Sequence, residues 1–167
     1  IGHGVVMGGG LGILSACRHR LVMDRSRLAY PEITIGLFAD AGASILFQKL
    51  PLNAALFLAL TGSELDSRDA LTLGVATNLF RSLDVSSLLK RLSGLKYSAD
   101  REHNDRLLDS FFHGEYQGES VPAGPWLKVP EWKFDLEDPS ETVEQLSAIP
   151  DGDPWVDTAK DNLNSGC

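Results

Sequence analysis

Short apolar blocks, cut by glycine and charge, run through the first half of the chain, and their lengths predict brief strands alternating with brief helices. Residues 4–7 form a strand candidate that ends at Gly8-Gly9-Gly10. Residues 11–17 are apolar and small, which predicts a buried helix starting directly after the glycines. Residues 20–23 and 27–30 read as two further strands, and Pro31 then imposes an extended or turn conformation. A helix is predicted over 40–50, with Ala41, Ser44, Ile45 and Leu46 packing inward. A second follows over 54–60 and ends at Thr61-Gly62. Ser67 is the expected cap of a third, stopped by Gly74. Residues 75–80 read as extended and 84–92 as helical.

Beyond Ser93 the pattern loosens. Glycine, proline and charge are scattered over 94–139, with one helical island at 105–112 and an irregular stretch at 119–130. Asp138-Pro139-Ser140-Glu141 places a capping carboxylate, a proline at the first helical position and a glutamate three residues after the cap, a strong helix start. Asp153-Pro154-Trp155 repeats the cap-then-proline signal. The fold class read from this order is α/β: a βα layer structure over 1–93 and a helical extension over 94–167.

Composition narrows the function. The chain has 167 residues, 43% hydrophobic and 23% charged, and a net charge of −8 that argues against nucleic acid as partner. No apolar run reaches the ~18 residues of a membrane span. Cys17 and Cys167 have no disulfide or zinc spacing, so no metal and a reducing compartment are expected. His3 and His19 read as structural or exposed, the three tryptophans as packing anchors of the extension, and Arg18, Arg20, Arg25 and Arg27 as solvated surface. The chain opens on Ile1 within an apolar stretch, which reads as a cut through the middle of a fold.

Two features carry chemistry. A strand, three glycines and a helix together expose backbone N–H groups that have no helical acceptor, and such a donor can stabilise an oxyanion by about 3–4 kcal/mol. The alternative is a tight packing turn. The spacing is neither a dinucleotide fingerprint nor a P-loop. Next, Glu32 and Asp40 bracket the uncharged run Ile33-Thr34-Ile35-Gly36-Leu37-Phe38-Ala39, a setting suited to general acid–base work. Read alone, Asp40 is sooner a helix cap and Glu32 a surface turn residue.

Together these segments carry a resemblance. HGVVMGGGLGILSACRHRLV (3–22) resembles the glycine segment of the crotonase superfamily, LAYPEITIGLFADAGAS (28–44) its second active-site segment, and LALTGSELDSRDALTLGVAT (58–77) the helical stretch and strand that follow. Residues 81–167 are only generally like the C-terminal extension of the 3-hydroxyisobutyryl-CoA hydrolase branch. The resemblance implies part of a crotonase-like ββα superhelix, lacking its N-terminal part, and an acyl-CoA substrate with no cofactor beyond the coenzyme A it carries. It implies Gly9 as one oxyanion-hole donor, Gly8, Gly10 and Gly12 as substrate-binding, and Glu32 and Asp40 as catalytic. Hydratases carry a glutamate where this chain has Gly12. The hydrolase branch lacks that acid and adds an aspartate after Phe-Pro, here Phe38-Ala39-Asp40, while Ala43 replaces a glycine usual in the branch. Hydrolysis of a short acyl-CoA, such as 3-hydroxyisobutyryl-CoA, is therefore expected. The alternatives are hydratase or isomerase chemistry and a non-catalytic crotonase-fold module. Trimers or larger homo-oligomers are usual in the superfamily and variable in this branch. The expected compartment is the cytoplasm, or the mitochondrial matrix in a eukaryote.

Overall fold

The computed structural model describes residues 1–80, 84–115 and 137–166. The chain begins with β1 (Val5–Met7), α1 (Gly9–Ser15), β2 (Leu21–Met23) and β3 (Arg27–Ala29). Strand β3 runs parallel to β1, pairing Val6 with Leu28, whereas β2 pairs with a later strand, β5 (Asn78–Phe80). The chain therefore changes sheets between β2 and β3. Ser26 secures that step from a buried position: its hydroxyl accepts from the Met23 N–H and donates to the Gly2 carbonyl, both at 3.0 Å. Strand β4 (Leu65–Asp66) adds an antiparallel edge to β3. No sequence signal predicted it, because two residues are too few to show a period.

A 3-10 turn (Pro31–Ile35) follows β3. Proline pre-sets its first φ, and Gly36 ends it in the left-handed region at φ 73°. The helix expected over 40–50 is only α2 (Ala43–Phe47). Ala41 and Gly42 take φ values of 46° and 86°, through which a right-handed helix cannot continue. Ala43, Leu46 and Leu50 are the buried positions there, while Ala41, Ser44 and Ile45 are exposed. Helix α3 (Leu52–Thr61) ends at Gly62, φ 59°. Helix α4 (Ser67–Thr72) is capped by Asp66 rather than Ser67, the Asp66 carboxylate accepting from the Arg68 and Asp69 N–H groups at 2.8 Å.

Helices α5 (Val85–Ser93) and α6 (Arg101–Glu115) follow, α6 longer than the predicted island. Phe80, Leu88 and Phe112 join Leu21 and Met23 in one apolar cluster that fixes them to the β2–β5 pair. Helix α7 (Pro139–Ser147) starts as predicted, with Asp138 accepting from the Ser140 and Glu141 N–H groups. Helix α8 (Pro154–Gly166) closes the chain. Leu146, Ala159 and Leu163 enter the main core alongside Phe57, Leu28 and Val22. The irregular stretch at 119–130, Trp126, Trp132 and Cys167 lie outside the described residues. Trp155 is a packing anchor, stacked on Phe57 at 4.9 Å and donating to the Glu64 carbonyl at 2.8 Å. Among the described residues no helix is long and apolar enough to cross a membrane.

Candidate active site

Helix α1 begins inside the glycine triple, not after it, with Gly8 as its cap at φ 50°. No side chain caps this end, and among the described residues the Gly9 and Gly10 N–H groups have no acceptor. Both residues are exposed, and a Cβ at either would meet nothing within 4 Å. These are open backbone donors at the positive end of a helix, as an oxyanion site requires.

Gly8, the cap of α1, and Gly12 lie one turn apart, the Gly12 N–H donating to the Gly8 carbonyl at 3.0 Å. Each is met by a different acidic segment. At Gly8, a Cβ would lie 2.9 Å from Oε1 of Glu32. At Gly12, a Cβ would lie 2.0 Å from the carbonyl oxygen of Ala41, the residue after Asp40. The two carboxylate-bearing segments, eight residues apart in sequence, thus both come to the first turn of α1. Of the glycines expected to meet substrate, Gly9 and Gly10 are open to a ligand, whereas Ala41 backbone fills the space at Gly12.

Glu32 is half-buried on the 3-10 turn, and its Oε2 is shielded from solvent without a hydrogen-bond partner. Asp40 is exposed. It is not the cap of α2, since Gly42 takes that place, and only its backbone carbonyl is engaged there, accepting from the Ala43 N–H at 2.8 Å. Tyr30 lies buried beneath both acids, its hydroxyl unpartnered by hydrogen-bond geometry and its ring edge-on to Phe47 at 5.5 Å. Burial pushes its pKa up. Glu32 and Asp40 add to that rise through their charge, and the neighbouring Ser15 hydroxyl opposes it. Sequence reasoning passed over Tyr30 because a tyrosine at a strand end looks like ordinary core. Apolar side chains at the rim stay in water, Ile13 74% and Phe38 79% exposed.

Arg18, Arg25 and Arg27 are exposed and Arg20 is half-buried. Arg18 pairs with Asp105 and Asp109 of α6, Arg27 with Glu64, and the Arg20 guanidinium binds the carbonyls of Cys17, Arg18, Gly74 and Val75. His19, expected to have no paired acid, has Nδ1 3.7 Å from Asp109 and its ring against Phe112 at 5.1 Å. Among the described residues no three His, Cys, Asp or Glu side chains gather as a metal site.

The chain is 33% identical over 144 residues to the mitochondrial 3-hydroxyisobutyryl-CoA hydrolase of Danio rerio, covering 86% of this chain and 35% of that protein. It is 30% identical to 3-hydroxyisobutyryl-CoA hydrolase 1 of Arabidopsis thaliana, covering 98% of this chain and 43% of the relative. The chain thus spans less than half the length of these relatives. Its fold matches a carnitinyl-CoA dehydratase from Mycobacterium thermoresistibile with a TM-score of 0.70 at 23% identity, over 98% of this chain and 46% of that one. The enoyl-CoA hydratase/isomerase profile covers residues 1–167, and the chain belongs to that family, the crotonase superfamily.

Proposed function

We propose that the protein hydrolyses a short acyl-CoA thioester, with 3-hydroxyisobutyryl-CoA as the first candidate. The observation that carries this reading is the contact at Gly12. Hydration of a double bond in this superfamily uses an acid at that position, and here the Ala41 carbonyl stands where its side chain would begin. The same segment that closes the position delivers Asp40 beside it. One acid is replaced by another, on a different element, and thioester hydrolysis remains open to the set that results.

In this account the thioester carbonyl oxygen approaches the Gly9 N–H, which stabilises the negative charge developing on it. Glu32 either removes a proton from the attacking water or attacks the acyl carbon itself. In the first case a C–O bond forms to water, the C–S bond breaks, and the proton taken by Glu32 passes to the departing thiolate. In the second, the Glu32–acyl anhydride forms as the C–S bond breaks; water then cleaves the anhydride, regenerating Glu32, and the proton released passes to the thiolate. Asp40 binds the substrate's hydroxyl or assists that transfer. The shielded, unpartnered Oε2 supports the assignment, because an oxygen denied both solvent and a protein partner is open to a ligand's donor. The names of the relatives support the choice of acyl group.

The test is Glu32→Gln in the protein's full natural length, assayed for thiol release from 3-hydroxyisobutyryl-CoA. A loss of about 10²–10⁴-fold is expected, with coenzyme A binding retained. Undiminished thiol release would remove Glu32 from the mechanism.

A further inference from the structure

The 3-10 turn that carries Glu32 buries none of its own side chains fully. Its C-terminal end is closed by the Gly36 N–H, which donates to the Ile33 carbonyl, and the Leu37 N–H, which donates to the Glu32 carbonyl, both at 3.0 Å, and the Thr34 hydroxyl donates to the Pro31 carbonyl at 2.7 Å. So short an element does not hold its place unaided. Its place is set by what presses on it, and α3 and α8 are its main neighbours.

Gly62 makes the closest of these approaches. A Cβ there would stand 2.9 Å from Cγ2 of Ile33 and 3.1 Å from both the Pro31 Cα and the Tyr30 carbonyl oxygen. Only glycine at φ 59° lets the end of α3 lie flat against the turn. The peptide entering Gly62 is held from the other side. Asn162 of α8 donates through Nδ2 to the Thr61 carbonyl at 2.9 Å, across a sequence separation of 101 residues. The same peptide's N–H, that of Gly62, donates to the Leu58 carbonyl at 3.0 Å, and the buried Thr61 hydroxyl bonds Phe57 O and Ser63 Oγ at 2.7 Å. Ala159 and Leu163 of α8 are buried in the core on either side of Asn162 in sequence.

We propose that Asn162 is a positioning residue for Glu32, acting through the Thr61–Gly62 peptide on the 3-10 turn. The carboxylate stays beside Gly8 because α8, from the far end of the chain, clamps the peptide that supports its turn. The catalytic consequence rests on the reading of Glu32 given above; the mechanical link does not.

Two variants test it in the full-length protein, Asn162→Leu, which keeps the volume and removes the donor, and Gly62→Ala, which inserts the Cβ. Amide hydrogen exchange at Gly36 and Leu37 reports the turn. Arg27, whose N–H donates to Gly4 O, and Leu88, whose N–H donates to Asp84 O, report the rest of the fold. Both variants are expected to speed exchange at Gly36 and Leu37 about tenfold while leaving Arg27 and Leu88 unchanged. The kcat for thiol release should fall about tenfold with KM nearly constant, and Asn162→Gln should recover part of it. Unchanged exchange at the turn, or an equal rise at all four amides, overturns the proposal. Faster exchange at the turn alone, with kcat intact, keeps the positioning link and removes Glu32 from the chemistry.

Discussion

The glycine face of α1 and the seam between α3 and α8 are built by opposite means. On the glycine face, backbone meets backbone: Ala41 closes on Gly12 at a distance no side chain survives. Polar atoms there are left waiting, Glu32 Oε2 and the Tyr30 hydroxyl among them. Along the seam the contacts are side chains, Phe57 on Trp155 and Leu163 in the core, and the bridging polar groups are matched, Trp155 to Glu64 and Asn162 to Thr61. Stability is concentrated where satisfaction is complete, and the proposed chemistry where it is not.

Substitutions at the two regions should therefore fail differently. Phe57 is 1% exposed on the seam, and Phe57→Ala should cost about 3–5 kcal/mol in urea denaturation. A cost under 1 kcal/mol would mean that α8 is not a structural partner of α3. On the glycine face, Gly12→Ala should cost about 1–3 kcal/mol, and in addition depress thiol release because the segment carrying Asp40 must move away. Wild-type stability and rate in that variant would show that the Ala41 contact is not tight in solution.

Smaller effects separate the regions further. Tyr30 has its pKa raised in the folded state, so its contribution is fully present below the unfolded tyrosine value of about 10 and is lost as pH rises through the folded value. Tyr30→Phe should therefore flatten the alkaline fall in Tm at little cost near neutral pH. An unchanged alkaline limb would place the loss elsewhere. Least of all, Arg18→Ala should cost under about 1 kcal/mol, since the side chain is 57% exposed, and the difference should shrink in high salt.

Much of this was legible in the residues. The strand, glycines and helix at 5–15 announced themselves through an abrupt change of pattern, and Asp138-Pro139 and Asp153-Pro154 marked two helix starts by local chemistry alone. What escaped depended on tertiary contact. The helix starts within the glycines because strand β1 needs the turn at Gly8, whose N–H donates to the Ala29 carbonyl at 3.1 Å. Helix α2 is short because Ala41 is bent into a left-handed conformation where the chain meets Gly12, a strain no propensity reveals. That the Asp40-bearing segment reaches the start of α1, where Glu32 also lies, follows from this bend, as does the closure of Gly12. The support from Asn162 could not be read at all, since it joins residues 101 apart.

The most direct test of the central claim is product partition. Full-length protein would be given 3-hydroxyisobutyryl-CoA and, separately, crotonyl-CoA, with free thiol and loss of the conjugated absorbance followed together. Free thiol from the hydroxyacyl thioester without loss of the crotonyl chromophore is the predicted result. Loss of that chromophore without free thiol would contradict the account, because it would mean that an acid other than one at position 12 supports hydration.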